Sequence, residues 1–468
     1  MTSASGTPAD QTSAPPEPSR PPRAIARSAV VSWILYDLAN TVFSMGVISN
    51  FFPLFVREQV GERRADAVYS AISAVAMGTM FLLSPLLGAL TDRARRRMPF
   101  LIGATFLSCG ATMLFGRGPF TVSAVLFVLA VGGYQAGVQF YDALLPEVTT
   151  DENRGRIGGA AIGIGYIGAY IALAIGWIAG TANKPLLFTA IALLFLALAV
   201  PCFVFVRERG NPNPRPIFGI DVIRESTVQT LRTLRESHRY PGLLRFLLGR
   251  AFYTDALNTV ISYMAIYTVN VAVSTGLTAQ TGEHAAQQVL ATAITFAILG
   301  GIALGFVVDR IGPRRTLMIV LALWTGVFAL AGGIGFFHLS IRWLYVVSCS
   351  AGIALGGTWA SDRPFMLRLT PPDRVGEFYG LYGMVGRFSA VTGPGLWGII
   401  TYIAVQRGGL PVLTGEAFAI MAMLAMVGVA IWILRHVSDE RRDWEMLARA
   451  HEARIAGPRL DTIASLPS

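Results

Sequence analysis

Twelve stretches of mostly apolar residues fill this 468-residue chain, at 29–56, 66–90, 98–116, 119–145, 156–180, 184–206, 243–272, 285–308, 314–337, 341–368, 376–404 and 413–435. A helix that crosses the hydrocarbon of a bilayer needs about 20 such residues in a row. Many of the stretches are longer, which permits tilt. Pro53, Pro85 and Pro394 lie inside them. Proline breaks helices in water but is common in membrane helices. The reading is an all-α integral membrane protein with twelve transmembrane helices. Only 14% of the residues are charged, against about 25% in a soluble chain. An ordinary cytosolic enzyme, a disordered scaffold and a disulfide-stapled secreted domain are therefore excluded. Cys109, Cys202 and Cys349 sit far apart in separate apolar runs, and the five histidines are scattered. Neither set has a metal or disulfide spacing. No catalytic triad, P-loop or ATP-binding cassette is present, so no enzyme activity, cofactor or metal is expected.

The net charge of +10 is carried almost wholly by arginine, with Lys184 the one lysine. Its placement matters more than its sum, and a nucleic-acid partner is not expected. Arg20, Arg23 and Arg27 precede the first stretch; Arg93, Arg95, Arg96 and Arg97 follow the second; Arg310, Arg314 and Arg315 follow the eighth. Eight arginines lie between Arg207 and Arg245, and six more from Arg435 to Arg459. The intervening loops hold far fewer. This alternation predicts both termini in the cytoplasm; the membrane expected is a bacterial inner membrane. The organisation expected is a disordered tail over 1–28, a six-helix bundle over 29–206, a cytoplasmic linker over 207–242, a second bundle over 243–435 and a tail over 436–468. Within the linker, Ile220, Val222, Ile223, Val228, Leu231 and Leu234 alternate with arginines. That pattern predicts an amphipathic helix on the membrane surface.

The two halves repeat one another. Asp37-Leu38-Ala39-Asn40-Thr41-Val42-Phe43-Ser44 and Asp255-Ala256-Leu257-Asn258-Thr259-Val260-Ile261-Ser262 both read D-x-x-N-T-V-x-S, 218 residues apart. Gly88…Asp92-Arg93 matches Gly305…Asp309-Arg310, and Asp142 falls opposite Asp362. Two parallel six-helix halves joined by a linker resemble the major facilitator superfamily, in which rocking of the halves about a midplane site moves the solute. Its G-x-x-x-D-R motif suggests that Gly88 and Gly305 permit close helix approach. Asp92 and Asp309 would then accept bonds from a neighbouring helix N-terminus, with Arg93 and Arg310 completing a gating latch. Gly301…Gly305, Gly352…Gly356 and Gly159…Gly163 read as small-residue packing faces.

Polar groups at membrane depth are costly and so mark function or pairing. Asp37, Asn40 and Ser44 share one helix face, and Asp255, Asn258 and Ser262 repeat it. Gln135, Gln139 and Asp142 form a stripe on the fourth helix, and Thr358 and Asp362 on the tenth. Those four helices line the cavity in this architecture. Asn40, Ser44, Gln135, Gln139, Asn258, Ser262 and Thr358 are the expected substrate path. Asp37 and Asp255 are the proton-coupling candidates, and protons the candidate coupling ion. Asp142 and Asp362 are candidate gating residues near the basic ends of their helices, where, with Glu147, they would be wet. Structural pairing is the competing reading: Asp255 with Arg250, or Asp362 with Arg363 or Arg387. Arg387, deep in the eleventh stretch with no acid within one turn, could hold a carboxylate or phosphate.

Trp33-Ile34-Leu35-Tyr36-Asp37-Leu38-Ala39-Asn40, Tyr141-Asp142-Ala143-Leu144-Leu145-Pro146-Glu147 and Glu377-Phe378-Tyr379-Gly380-Leu381-Tyr382 resemble signatures of one branch. It contains bacterial "unknown major facilitator" proteins and the yeast vacuolar amino-acid effluxer of autophagy. The stretch Gly356-Gly357-Thr358-Trp359-Ala360-Ser361-Asp362-Arg363 departs from the branch's more usual Gln-containing sequence. The resemblance implies amino-acid efflux. The resulting expectation is a monomeric secondary transporter in the lipid bilayer, carrying a small polar organic molecule. Export of a drug or lipid-like compound is the alternative, in which alanine at Asn40 and Asn258 leaves transport almost intact. A non-transporting sensor or scaffold using the 207–242 helix is another.

Overall fold

The computed structural model describes residues 25–440, apart from 180–182, 212, 218–223, 226, 227, 229–239 and 241. The expected N-terminal tail, nearly all of the C-terminal tail and most of the amphipathic linker helix therefore lie outside the described residues. The described chain is helical nearly throughout. Helix α1 runs Arg27–Val60, and α2 Glu62–Arg93. They are followed by α3 Met98–Met113, α4 Phe120–Ala143, α5 Arg154–Ala179 and α6 Lys184–Phe205. The second half holds α7 Leu243–Ser274, α8 Ala279–Ile311 and α9 Pro313–Phe337. It ends with α10 Arg342–Arg368, α11 Val375–Thr401 and α12 Val412–Leu434. Eleven of these are long and apolar enough to cross a membrane; α3 is the shorter apolar helix.

Several bounds differ from the apolar stretches for local reasons. Helix α8 starts at Ala279 because the Thr278 side chain caps the N–H of Thr281. Its first turns are polar and escape a hydropathy reading. Helix α1 loosens into a wider winding over Ser44–Phe51, just before Pro53. Proline lacks the N–H that would bond four residues back, and a wider turn absorbs the defect. Gly61 (φ 80°) and Gly312 (φ 91°) occupy the left-handed region at the α1–α2 and α8–α9 corners, where a side chain would be strained.

Packing repeats after six helices. Helix α1 packs on α5 and α6, α4 on α2 and α3, and α3 on α6; α7 packs on α11 and α12, α10 on α8 and α9, and α9 on α12. Two seams join the bundles, α2 with α11 and α5 with α8. Each is lined by glycine. A β-carbon at Gly88 would overlap the Gly376 carbonyl, and one at Gly159 the Gly301 carbonyl. The glycine faces noted in the sequence thus meet one another: Gly155, Gly159 and Gly163 on α5 lie against Gly301 and Gly305 on α8.

The linker is tied to one end of the first bundle, called here the basic end. The Glu208 carboxylate accepts the N–H groups of Arg97 (2.6 and 2.7 Å) and Met98 (3.0 Å), at the N-terminus of α3. After α12 the same device returns: Asp439 accepts from the Arg314 N–H (3.3 Å) at the start of α9 and pairs with Arg368 (2.6 Å). Acids at helix N-termini satisfy orphan donors and meet the positive end of the helix dipole. Glu208→Ala should lower stability by about 0.5–2 kcal/mol, the usual worth of a lost cap. Thermal unfolding in detergent checks this against wild type.

Candidate functional site

At the basic end each bundle grips a helix of the other. The Asp92 carboxylate, closing α2, accepts the N–H groups of Gly376 and Glu377 at the start of α11, both at 2.7 Å. Arg97 pairs with it at 2.7 Å. In the mirrored position Asp309, closing α8, accepts the Gly155 N–H (2.6 Å) and Arg156 N–H (3.1 Å) at the start of α5, and pairs with Arg156 (2.9 Å). Arg93 instead reaches Glu225 in the linker. Gly88 and Gly305 let these helices come close enough for the latch to form.

Deeper, the pseudo-symmetry breaks. Arg363 on α10 crosses the boundary to two acids of the first bundle: Asp37 on α1 (3.3 Å) and Asp142 on α4 (3.1 Å). The W-x-x-Y-D spacing explains how Asp37 is aimed. The Trp33 ring stacks on Tyr141 at 4.5 Å and donates to its carbonyl, while the Tyr36 hydroxyl bonds Thr105 at 2.7 Å. Those aromatics fix α1 against α3 and α4, and Asp37, one residue on, faces the other bundle. Gly165 and Gly168 allow α5 to close against this face. In the second bundle Asp362 takes a different partner. It accepts from Arg250 (3.1 Å), Tyr253 (2.5 Å) and Tyr382 (2.7 Å), with the Arg250 guanidinium 3.5 Å from the Tyr382 ring centre.

Arg387 lies further along α11, 6% exposed. It bonds the Ser84 hydroxyl on α2 and donates to the Gln135 carbonyl (3.0 Å) and side-chain oxygen (3.4 Å) on α4. Gln139 exchanges bonds with Ser84 at 2.6 and 2.8 Å. Among the described residues Arg387 makes no ion pair, and its Nε has no partner. Asp255 accepts from Thr392 (2.7 Å) and likewise has no cation beside it among the described residues. Asn40 is buried with an unpartnered Oδ1, and Asn258 is half-buried.

Residues 58–445 match the protein family described as "Vacuole effluxer Atg22 like". The chain belongs to the Atg22-like family. An Aquifex aeolicus protein is 26% identical over 420 residues, covering 89% of this chain and 98% of that relative. A Bacillus subtilis protein described as the MFS-type transporter YxiO is 23% identical, covering 87% and 94%. Autophagy-related protein 22 of Coccidioides immitis is 26% identical over 64% of this chain and 51% of its own length. The chain thus spans about half the length of the fungal relatives it matches. Among solved structures, a bacterial homologue of the iron transporter ferroportin in an outward-facing state gives a TM-score of 0.65 at 16% identity, covering 90% of this chain and 100% of that one. The human organic anion transporter MFSD10 (TETRAN) gives 0.63 at 16% identity, covering 87% and 98%. The fold is that of the major facilitator superfamily, two pseudo-symmetric six-helix bundles. The chain is a multi-pass membrane transporter of that type and not an enzyme.

In this Atg22-like transporter the ion pairs correct several expectations. Arg250 takes Asp362, not Asp255, and Arg363 takes Asp37 and Asp142, not Asp362. Neighbouring residues on a helix point about 100° apart, so Asp362 turns into its own bundle and Arg363 out of it. Asp142 (4% exposed) and Asp362 (0%) are not wet. Thr358 is buried, donates to the Ala354 carbonyl and accepts from Trp324 of α9, so its hydroxyl serves bundle packing. Ser262 is exposed and bonds the Asn258 carbonyl; Ser44 bonds the Thr41 carbonyl. Tyr253 and Tyr382 were missed, as were Arg250 as the partner of Asp362 and Arg363 as a bridge between bundles. For Arg250 and Arg363 the one signal in the sequence is charge in an otherwise apolar run; the two tyrosines offer none.

Proposed function

We propose that this transporter carries a small polar organic solute with a carboxylate, an amino acid first among the candidates, outward by alternating access. The observation that carries the reading is Arg387: a buried cation on α11, unpaired with any described acid, that reaches across to α2 and α4. A guanidinium at that depth is expensive unless an anion comes to it. Asn40, buried on α1, and Asn258, half-buried on α7, add amide groups for directional bonds. The Atg22-like family supports efflux. The arginine bias supports placing both termini in the cytoplasm, and the Aquifex and Bacillus relatives support a bacterial cytoplasmic membrane. The cross-bundle bonds at the basic end then describe a transporter closed to the cytoplasm.

Counterflow in proteoliposomes against an amino-acid panel tests this. Hydrogen bonds to a charged group contribute about 1.5–3 kcal/mol, so Arg387→Gln should weaken transport of the preferred solute about ten- to a hundredfold, with Arg387→Lys intermediate. The solute's amide, lacking the carboxylate, should be a poor substrate for wild type and unchanged by Arg387→Gln. Equal transport of acid and amide by wild type would remove the anion-anchor reading.

Of the two proton-coupling candidates, Asp255 is favoured. Arg363 already pairs with Asp37, whereas Asp255 has no cation beside it among the described residues. Asp255→Asn should make flux independent of an imposed pH gradient while leaving counterflow within a fewfold of wild type. A gradient response that survives Asp255→Asn discards proton carriage there.

A further inference from the structure

A second charge-rich region lies outside the central crevice. At the basic end a cavity of about 700 Å³ opens between the α2–α3 turn, linker residues 208–211, 213 and 215, the start of α5 and the α10–α11 connection. That is the size of a small-molecule site, and its walls come from both bundles and the linker. Eight arginines and five carboxylates line it. All five carboxylates are already bonded to an arginine or to a helix N-terminus, Asp92 on α11 and Glu208 on α3 among them. Of the other arginines, Arg93 and Arg368 pair with Glu225 and Asp439 beyond the cavity wall. Arg95 and Arg215 are exposed and make no ion pair among the described residues. Arg93, Arg97 and Arg154 each bury an Nε that bonds nothing.

Donors thus outnumber acceptors in a space where like charges are crowded. A ligand with several charged oxygens corrects both imbalances, and the planar guanidinium fork matches phosphate oxygens in pairs. We propose that this cavity binds a multiply charged phosphate-bearing anion, a lipid headgroup or a free polyphosphate, and that the bound anion pins the two bundles together at the basic end. The pinning rests on the alternating-access reading; the binding does not. Because the lining residues belong to different bundles, an anion that touches all of them binds one conformation better than the other, and so shifts the equilibrium toward it.

The test uses the full chain in nanodiscs. In one arm inorganic tripolyphosphate is added to discs of phosphatidylcholine; in the other, cardiolipin is built into the disc. A ligand of the folded state raises the melting temperature. A rise of several degrees is expected in at least one arm. It should shrink as salt screens the charges, vanish largely in Arg95→Gln/Arg215→Gln, and persist in Arg342→Gln at the opposite end. The tripolyphosphate arm identifies a free anion and the cardiolipin arm a headgroup. No rise in either arm, or equal rises in wild type and the double variant, overturns the site. The same ligand should slow counterflow by wild type but not by the double variant. A retained melting shift with unchanged flux overturns the pinning. A chain that moves no solute even without the anion counts against the transport reading alone.

Discussion

Arg363→Met is expected to open the basic end and to reduce transport about a hundredfold or more. Arg363 is the sole described cation on both Asp37 and Asp142, at 3.3 and 3.1 Å, and all three side chains are largely buried. Removing one partner from such a group leaves uncompensated charge in a low dielectric, at a cost of about 3–5 kcal/mol. At about 1.4 kcal/mol per tenfold, the closed conformation loses more than a hundredfold in population. Water entering from the basic end can solvate the two acids, so the open conformation escapes that cost. The readout is labelling by an impermeant maleimide of Ala143→Cys, in a background with Cys349→Ser. Ala143 is buried beside Asp142 at the basic end, so its labelling rate follows opening. The triple change Arg363→Met, Asp37→Asn, Asp142→Asn should restore protection, since it removes the charges as a set. Unaltered labelling in Arg363→Met would show that the ion pairs do not hold this end shut.

Gly159→Val should be nearly as damaging, by shape alone. The α5–α8 seam brings Gly159 against the Gly301 carbonyl and the Gly305 Cα, with no room for a β-carbon. Helices in lipid associate through close backbone packing, so a forced separation is not recovered by hydrophobic burial. Overpacking costs about 1–3 kcal/mol, and here it falls on a surface joining the two bundles. The expected result is a lower melting temperature and transport reduced about five- to a hundredfold, by the same conversion. Gly78→Ala, where a β-carbon meets nothing, is the matched control. Wild-type flux from Gly159→Val would mean that the seam is looser than its geometry.

The sequence by itself determined the spans, the doubling and the glycine-lined faces. Apolar length is a one-dimensional property, and membrane depth imposes it directly on the chain. The glycine faces were legible because small-residue spacing along one helix implies a close partner, and the Asp92 and Asp309 latches because their motif recurs at equivalent positions. The polar stripe of Gln135, Gln139 and Asp142 was likewise visible as a face. Which cation meets which acid was decided only by tertiary structure. Asp362 and Arg363 are adjacent in the chain yet serve different bundles, because a helix turns successive side chains through about 100° and their oppositely charged partners come from segments more than 100 residues away. Electrostatic pairing depends on distances of a few ångströms between helices, and no spacing within one helix records them.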